Sequence, residues 1–169
     1  MTDWAEVYRT LYPDLVRFLY RKVWDADRAR DLAQEAFVRA LRHRPGKPRT
    51  WLYTVAANLA RDEARGAIRR RKHLALLKSE READGPAREE PVERLEREHR
   101  AGLVRAALDR LSERDRETLL LWQAGLSYTE IAEQTGLARG AIGTTLSRAR
   151  KRLVEAYHEM EEENDVARG

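Results

Sequence analysis

The chain has 169 residues, enough for one domain of ordinary size or two small ones. Its 37% charged content is well above the roughly 25% usual in globular proteins, yet the net charge is only +4, so local clusters of charge matter more than their sum. The absence of cysteine excludes a disulfide framework and a thiolate metal site, and no apolar run reaches the ~20 residues of a membrane span.

Apolar residues recur at helical spacing almost throughout and period-two alternation is absent, so an all-α fold is expected. The start, "MTDWAEVYRTLY", lacks the basic residues and apolar stretch of a secretory signal, and a soluble cytoplasmic protein is expected. Over residues 3–24, Trp4, Val7, Tyr8, Leu11, Tyr12, Leu15, Leu19 and Val23 keep helical spacing, with Pro13 expected to break or kink the stretch into two pieces. Asp25 or Asp27 can cap a second helix whose apolar face is Ala29, Leu32, Ala33, Ala36, Phe37, Ala40 and Leu41. Opposite lie Asp31, Gln34 and Glu35, which spacing alone reads as an ordinary solvated face.

"HRPGKPR", residues 43–49, is expected to be a loop from its prolines and glycine. Thr50 would cap a third helix with Trp51, Leu52, Val55, Ala56 and Leu59 as its apolar stripe. Its later half is basic, with Arg61, Arg65, Arg69, Arg70, Arg71 and Lys72. Cations interleaved with aromatic rings suit a nucleic acid with exposed base faces, although Trp51 by itself reads as a core residue. Asn58 is a poor helix former among good ones. Its amide can hydrogen-bond a base edge or a nearby loop backbone.

Residues 79–92 lack apolar periodicity and hold Gly85, Pro86 and Pro91, which reads as a flexible linker. This divides the chain into an N-terminal domain (1–78), the linker, a C-terminal domain (93–160) and a frayed tail (161–169). In the second domain Leu95, Leu103, Val104, Ala107, Leu108 and Leu111 form one stripe, and Leu119, Leu120 and Trp122 another. "SYTE", residues 127–130, has the Ser-x-x-Glu pattern of a capping box, opening a short helix that Gly136 ends. The helix that follows, in "LARGAIGTTLSRARKRL" (137–153), is basic and amphipathic. Ile142, Leu146, Ala149 and Leu153 fall on one stripe; Gly140, Thr144, Ser147 and Lys151 fall opposite, flanked by Gly143, Arg148 and Arg150. A capped helix, a glycine turn and a basic amphipathic helix form the pattern of a helix-turn-helix. Small and hydroxyl residues would let the backbone approach a major groove while cations reach phosphates or guanine edges.

"RDLAQEAFVRAL", "RTWLYTVAANLARDEAR", "LSERDRETLLLWQAGLSYTEIAEQTG" and "SRARKRL" together resemble the extracytoplasmic-function group of bacterial RNA polymerase sigma factors. The likeness runs in order over almost the whole chain. It implies a transcription initiation factor with core RNA polymerase (β′ clamp helices and β subunit) and promoter DNA as partners, a monomer when free of polymerase. On this likeness Asp31, Gln34 and Glu35 match the positions that dock on the clamp helices. Asn58 matches the asparagine that meets an extruded base of the minus-ten element. The loop from His43 through Arg44 and Lys47 to Arg49 would cup that base, and Arg61 and Arg65 would hold the upstream backbone. Arg139, Gly140, Gly143, Thr144, Ser147, Arg148 and Lys151 would face the minus-thirty-five element. The linker would thread toward the RNA path, and an anti-sigma factor is a further possible partner.

Two departures stand out. The 43–49 loop is short, lacks the aromatic residue often found there, and is stiffened by Pro45 and Pro48. Where the family pattern is roughly "GTVRSR", this chain has "GAIGTT", so Gly143 replaces a basic residue and direct readout would shift to Arg139, Thr144 and Arg148. A stand-alone helix-turn-helix regulator is the alternative, but it leaves the first domain without a purpose. The four histidines, His43, His73, His99 and His158, are scattered, no carboxylate cluster has metal-ligand spacing, and neither an enzyme nor a cofactor is expected.

Overall fold

The computed structural model describes residues 1–73 and 91–169, with side chains described for 1–66 and 91–169. Its elements are α1 (Trp4–Val23), α2 (Ala26–His43), α3 (Pro48–His73), α4 (Pro91–Asp109), α5 (Glu113–Gln123), α6 (Tyr128–Thr135) and α7 (Arg139–Arg168). No strand occurs among the described residues. The chain divides into two compact units, 1–85 and 86–169. The linker reading for 79–90 lies outside the described residues; Pro91 and Val92 already belong to the first turn of α4.

In the N-terminal unit α1, α2 and α3 pack against one another. The Asp3 carboxylate opens α1 by accepting from the Ala5 and Glu6 amides, and Asp25, not Asp27, caps α2 through the Arg28 amide. Pro13 lies inside a single continuous α1 instead of dividing it. An interior proline costs about 3 kcal/mol, but Leu15, Phe18 and Leu19 are buried on the same helix, each worth roughly 1.5–3 kcal/mol. Tertiary packing therefore overrides the breaker. Thr50 is not the cap of α3. The helix starts at Pro48, where the missing N–H costs nothing, and its first turn closes with the Trp51 amide on the Lys47 carbonyl. The loop accordingly shrinks to residues 44–47, with His43 and Arg49 in the flanking helices.

Alanines at 29, 33, 36, 40, 56, 57 and 60 are buried, which lets the three helices approach closely. Phe18 meets the Tyr53 ring edge-on at 5.2 Å. Burial, with Asp14 adding to it, pushes the Tyr53 phenol up to about 12. The Arg28 guanidinium joins α2 to α3 through a two-pronged grip on Glu63, at 2.9 and 2.7 Å, and this bond raises the Arg28 pKa further. Leu41, expected on the core face, is 52% exposed. It sits in the last turn of α2, beyond the reach of the packed face.

In the C-terminal unit α7 packs on α4, α5 and α6, and α5 packs on α6. Leu108, Leu111, Leu120, Leu121, Leu126, Ile131, Ile142 and Leu146 form its core. Val92, Leu95 and Val104 of α4 are exposed, so only the later part of that helix contributes the expected stripe. Trp122 also lies at the surface, its ring covered by the Arg150 guanidinium at 3.8 Å. The expected tail is helical, since α7 continues to Arg168. Arg110, in the turn after α4, meets Glu159 at 3.0 Å and Glu163 at 3.7 Å, and Asn164 meets His99 of α4 at 2.9 Å. Each such surface contact is weak, but together they give the last turns of α7 a partner.

Candidate nucleic-acid interface

The helix-turn-helix is built from local chemistry. Ser127 Oγ accepts from the Glu130 amide at 3.2 Å while Glu130 Oε2 accepts from the Ser127 amide at 2.7 Å, a reciprocal capping box that fixes the start of α6. Gly136 ends α6 at φ 73°, a left-handed conformation that suits glycine. Three residues later α7 begins, with no side chain capping its N-terminus. The Ala141 amide donates to the Ala138 carbonyl at 2.9 Å, which closes the first turn.

Ile142, Leu146 and Ala149 are buried as the amphipathic reading expects, and Leu153 is half-buried. On the other side Tyr128, Arg139, Gly140, Gly143, Thr144 and Ser147 line a concave surface of about 870 Å³. Gly140 has open space where a Cβ would point. At Gly143 a Cβ would come 3.6 Å from Tyr128 Cε2 and 3.9 Å from its hydroxyl oxygen. Lys151 is exposed farther along the same helix. Thr145 is buried and so faces the core, away from this surface.

The basic residues do not all face outward. Asp115 of α5, with 2% of its side chain exposed, accepts from Arg148 Nη2 at 3.1 Å and from Arg152 Nη1 at 3.0 Å. Arg148, expected to reach DNA, thus spends one arm holding α7 to α5. Sequence reading missed both Asp115 and Tyr128. Asp115 lies on a helix with no marked polar stripe, and its partners are 33 and 37 residues away in the sequence. In the sequence Tyr128 stands out only as part of the capping pattern.

In the N-terminal unit Asp31, Gln34 and Glu35 all lie exposed on α2. Asp31 is 3.5 Å from Arg28, and Glu35 is 2.7 Å from Arg39. Gln34 edges an apolar depression of about 460 Å³ that includes Trp4, Tyr8, Phe37, Val38 and Leu41. On α3, Asn58 is exposed and its Oδ1 accepts from Arg61 Nη1 at 3.2 Å, one turn along the same helix. Arg65 is exposed two turns from Asn58. Trp51, one of the expected core residues, is half-buried, and its ring stacks on His43 at 5.7 Å, closing the loop of residues 44–47. Arg44 ends α2 in the left-handed conformation at φ 47°, its amide donating to the Ala40 carbonyl at 2.7 Å. Lys47 is exposed and Arg49 half-buried. The side chains of Arg69, Arg70, Arg71 and Lys72 lie outside those described.

Among the described residues no cluster of three or more His, Asp or Glu side chains can hold a metal ion. No described helix is long and apolar enough to cross a membrane.

Two family models match the chain: Sigma-70 region 2 over residues 7–72, and Sigma-70 region 4 over residues 101–153. RNA polymerase sigma factor YlaC of Bacillus subtilis is 28% identical over 167 residues, covering 95% of each chain. The ECF RNA polymerase sigma factor EcfG of Rhodopseudomonas palustris is 35% identical over 151 residues, covering 83% of this chain and 77% of that one. Among solved structures, the sigma factor RpoE of Bartonella quintana, in complex with the anti-sigma factor NepR, is similar with a TM-score of 0.68 and 26% identity. That match covers 92% of this chain and 97% of the other. One matched region lies within each of the two units that carry the candidate surfaces, and the chain belongs to the extracytoplasmic-function group of RNA polymerase sigma factors.

Proposed function

We propose that this sigma factor divides its work between the two surfaces described. The exposed residues Asp31, Gln34 and Glu35 dock on the β′ clamp helices of core polymerase. Asn58, with the loop of residues 44–47 and the His43–Trp51 stack two turns earlier on α3, receives an extruded base of the minus-ten element. Arg61 and Arg65 hold the adjoining backbone. The first turns of α7 enter the major groove of the minus-thirty-five element, where Arg139, Gly140, Gly143, Thr144 and Ser147 face the bases and Lys151 a phosphate. Arg148 combines its grip on Asp115 with a phosphate contact through its remaining N–H groups.

The observation that best supports this reading is the outer face of α7. Gly140 opens onto empty space, hydroxyl residues follow at helical spacing, and the opposite stripe is locked into the core. Such a face admits a groove floor at close range. Opening the duplex is an exchange, in which unstacking a base costs a few kcal/mol and the pocket that binds it offsets the cost. The polymerase carries out the chemistry; the chain has no reaction of its own and works in the cytoplasm. By analogy with the Bartonella protein, which was solved with an anti-sigma factor, an anti-sigma factor is a fitting partner here too.

Run-off transcription with core polymerase on a promoter library tests the proposal. Promoter-dependent transcripts that appear only when the chain is added are expected. Failure to bind core polymerase, or transcripts independent of the chain, would refute it.

A further inference from the structure

We propose that Arg28 and Glu63 are a positioning pair for promoter binding, fixing the direction in which the second half of α3 carries Arg61 and Arg65. The proposal rests on the reading of α3 as the helix that meets the minus-ten element. Leu52, Ala56 and Ala60 are buried at four-residue spacing, so the first half of α3 is held by packing. Past Ala60 no described side chain of α3 is buried. Glu63 comes next on the same stripe, three residues on, and a carboxylate stands there where packing calls for an apolar side chain.

That carboxylate takes over the anchoring. Arg28 Nε donates to Glu63 Oε1 at 2.9 Å and Nη2 to Oε2 at 2.7 Å, with 20% of the glutamate side chain and 44% of the arginine exposed. A fork on two oxygens fixes angle as well as distance, which a single contact does not. The root of Arg28 is fixed too, since its amide donates to the Asp25 carboxylate at 3.0 Å, at the start of α2. Its remaining arm, Nη1, lies 3.5 Å from Asp31, so a partner that engages Asp31 leaves the grip on Glu63 intact. Arg61 and Arg65 lie two residues to either side of Glu63, and both are exposed. At about 100° per residue they project away from the pair. A tilt of α3 here displaces both cations at once, while Asn58, with buried Ala57 and Ala60 around it, keeps its place.

The test combines the full chain with core polymerase and follows its binding to a labelled promoter from the run-off library by fluorescence anisotropy, between about 50 and 200 mM salt. The variants are Glu63→Ala, Arg28→Ala and the two combined. The single variants change net charge in opposite directions, so charge alone would make Glu63→Ala bind DNA more tightly and Arg28→Ala more weakly. Positioning predicts that each weakens promoter binding about tenfold and that the double variant is no worse than either. It also predicts that the salt slope falls by about one to two as the phosphate contacts of Arg61 and Arg65 are lost. Affinity for core polymerase is expected not to fall. Opposite effects of the two single variants, no loss in either, or losses that add in the double variant would overturn the proposal. So would an unchanged salt slope, or a fall in core affinity that matches the fall in promoter binding. If Arg61→Ala combined with Arg65→Ala leaves promoter binding unchanged, the underlying reading of α3 is refuted instead.

Discussion

Asp115→Asn removes one charge and almost no volume from the joint between α5 and α7. The wild-type carboxylate is buried and bound by two guanidinium groups, at 3.1 and 3.0 Å. Two charge-assisted hydrogen bonds at about 1.5–3 kcal/mol each set the upper limit of the loss. Breaking a fully buried pair costs about 3–5 kcal/mol. Here the Arg148 and Arg152 side chains are 49% and 55% exposed, so both can turn to water once the carboxylate is gone. That recovery brings the expected loss to about 2 kcal/mol, which in a unit of this size lowers the melting temperature by roughly 8–16 °C. Segment-resolved amide hydrogen exchange on the intact chain is the assay, with α1–α3 as internal control. Amides of α5 and α7 should lose protection while those of α1–α3 keep theirs. A cycle of Asp115→Ala, Arg152→Ala and the double variant should give a coupling of about 1 kcal/mol. A loss below about 0.5 kcal/mol, or an equal loss in α1–α3, would refute the argument.

Asn58→Ala should lower promoter-dependent initiation about tenfold, the scale of one base contact, with core polymerase affinity unchanged in a pull-down titration; lost core binding would make Asn58 structural. Asp31→Ala combined with Gln34→Ala should weaken core binding about tenfold without changing the far-ultraviolet circular dichroism, because both side chains are exposed; unchanged affinity would refute the docking assignment. The N-terminal unit should lose stability at alkaline pH through Tyr53, whose phenol is raised from 10.0 to about 12 in the fold. A raised folded-state pKa stabilises fully below the unfolded value, and the contribution fades as pH rises from about 10 to 12, to a total of about 2–3 kcal/mol. Urea unfolding at pH 9 and pH 12 should show the drop in wild type and a much smaller one in Tyr53→Phe.

Periodic features were legible in the sequence and solitary ones were not. The α7 stripe of Ile142, Leu146 and Ala149 follows from a 3.6-residue period, and the α6 cap from a four-residue pattern. Pro13 misleads because its cost is local, whereas the burial of Leu15, Phe18 and Leu19 that outweighs it exists only once the helices pack. Thr50 looked like a cap, yet Pro48 two residues earlier is itself a favoured first helical residue. Leu41, Leu95 and Trp122 carry the right period but sit where a helix outruns its neighbours or where a cation covers the ring. In the candidate site, the face of Gly140, Thr144 and Ser147 could be placed from spacing. Asp115 and Tyr128 could not, because their roles depend on contacts between helices.

The same contacts explain why a helix with glycines at its second and fifth positions holds its shape. Gly143 costs about 1 kcal/mol relative to alanine, and Gly140, in the first turn, costs less. Burial of Ile142 and Leu146, worth roughly 1.5–3 kcal/mol apiece, already exceeds that, and the Asp115 grip on Arg148 and Arg152 adds to it. The helix is therefore secured from behind, by its core stripe and by arginines reaching back to α5, so the front needs no bulk for stability. Once bulk is dispensable there, position 140 can lie open and position 143 can admit a ring from the neighbouring helix. In the proposed docking on DNA, such a front of small and hydroxyl side chains would bring the backbone close to base edges, while Asp115 holds Arg148 and Arg152 by one arm each.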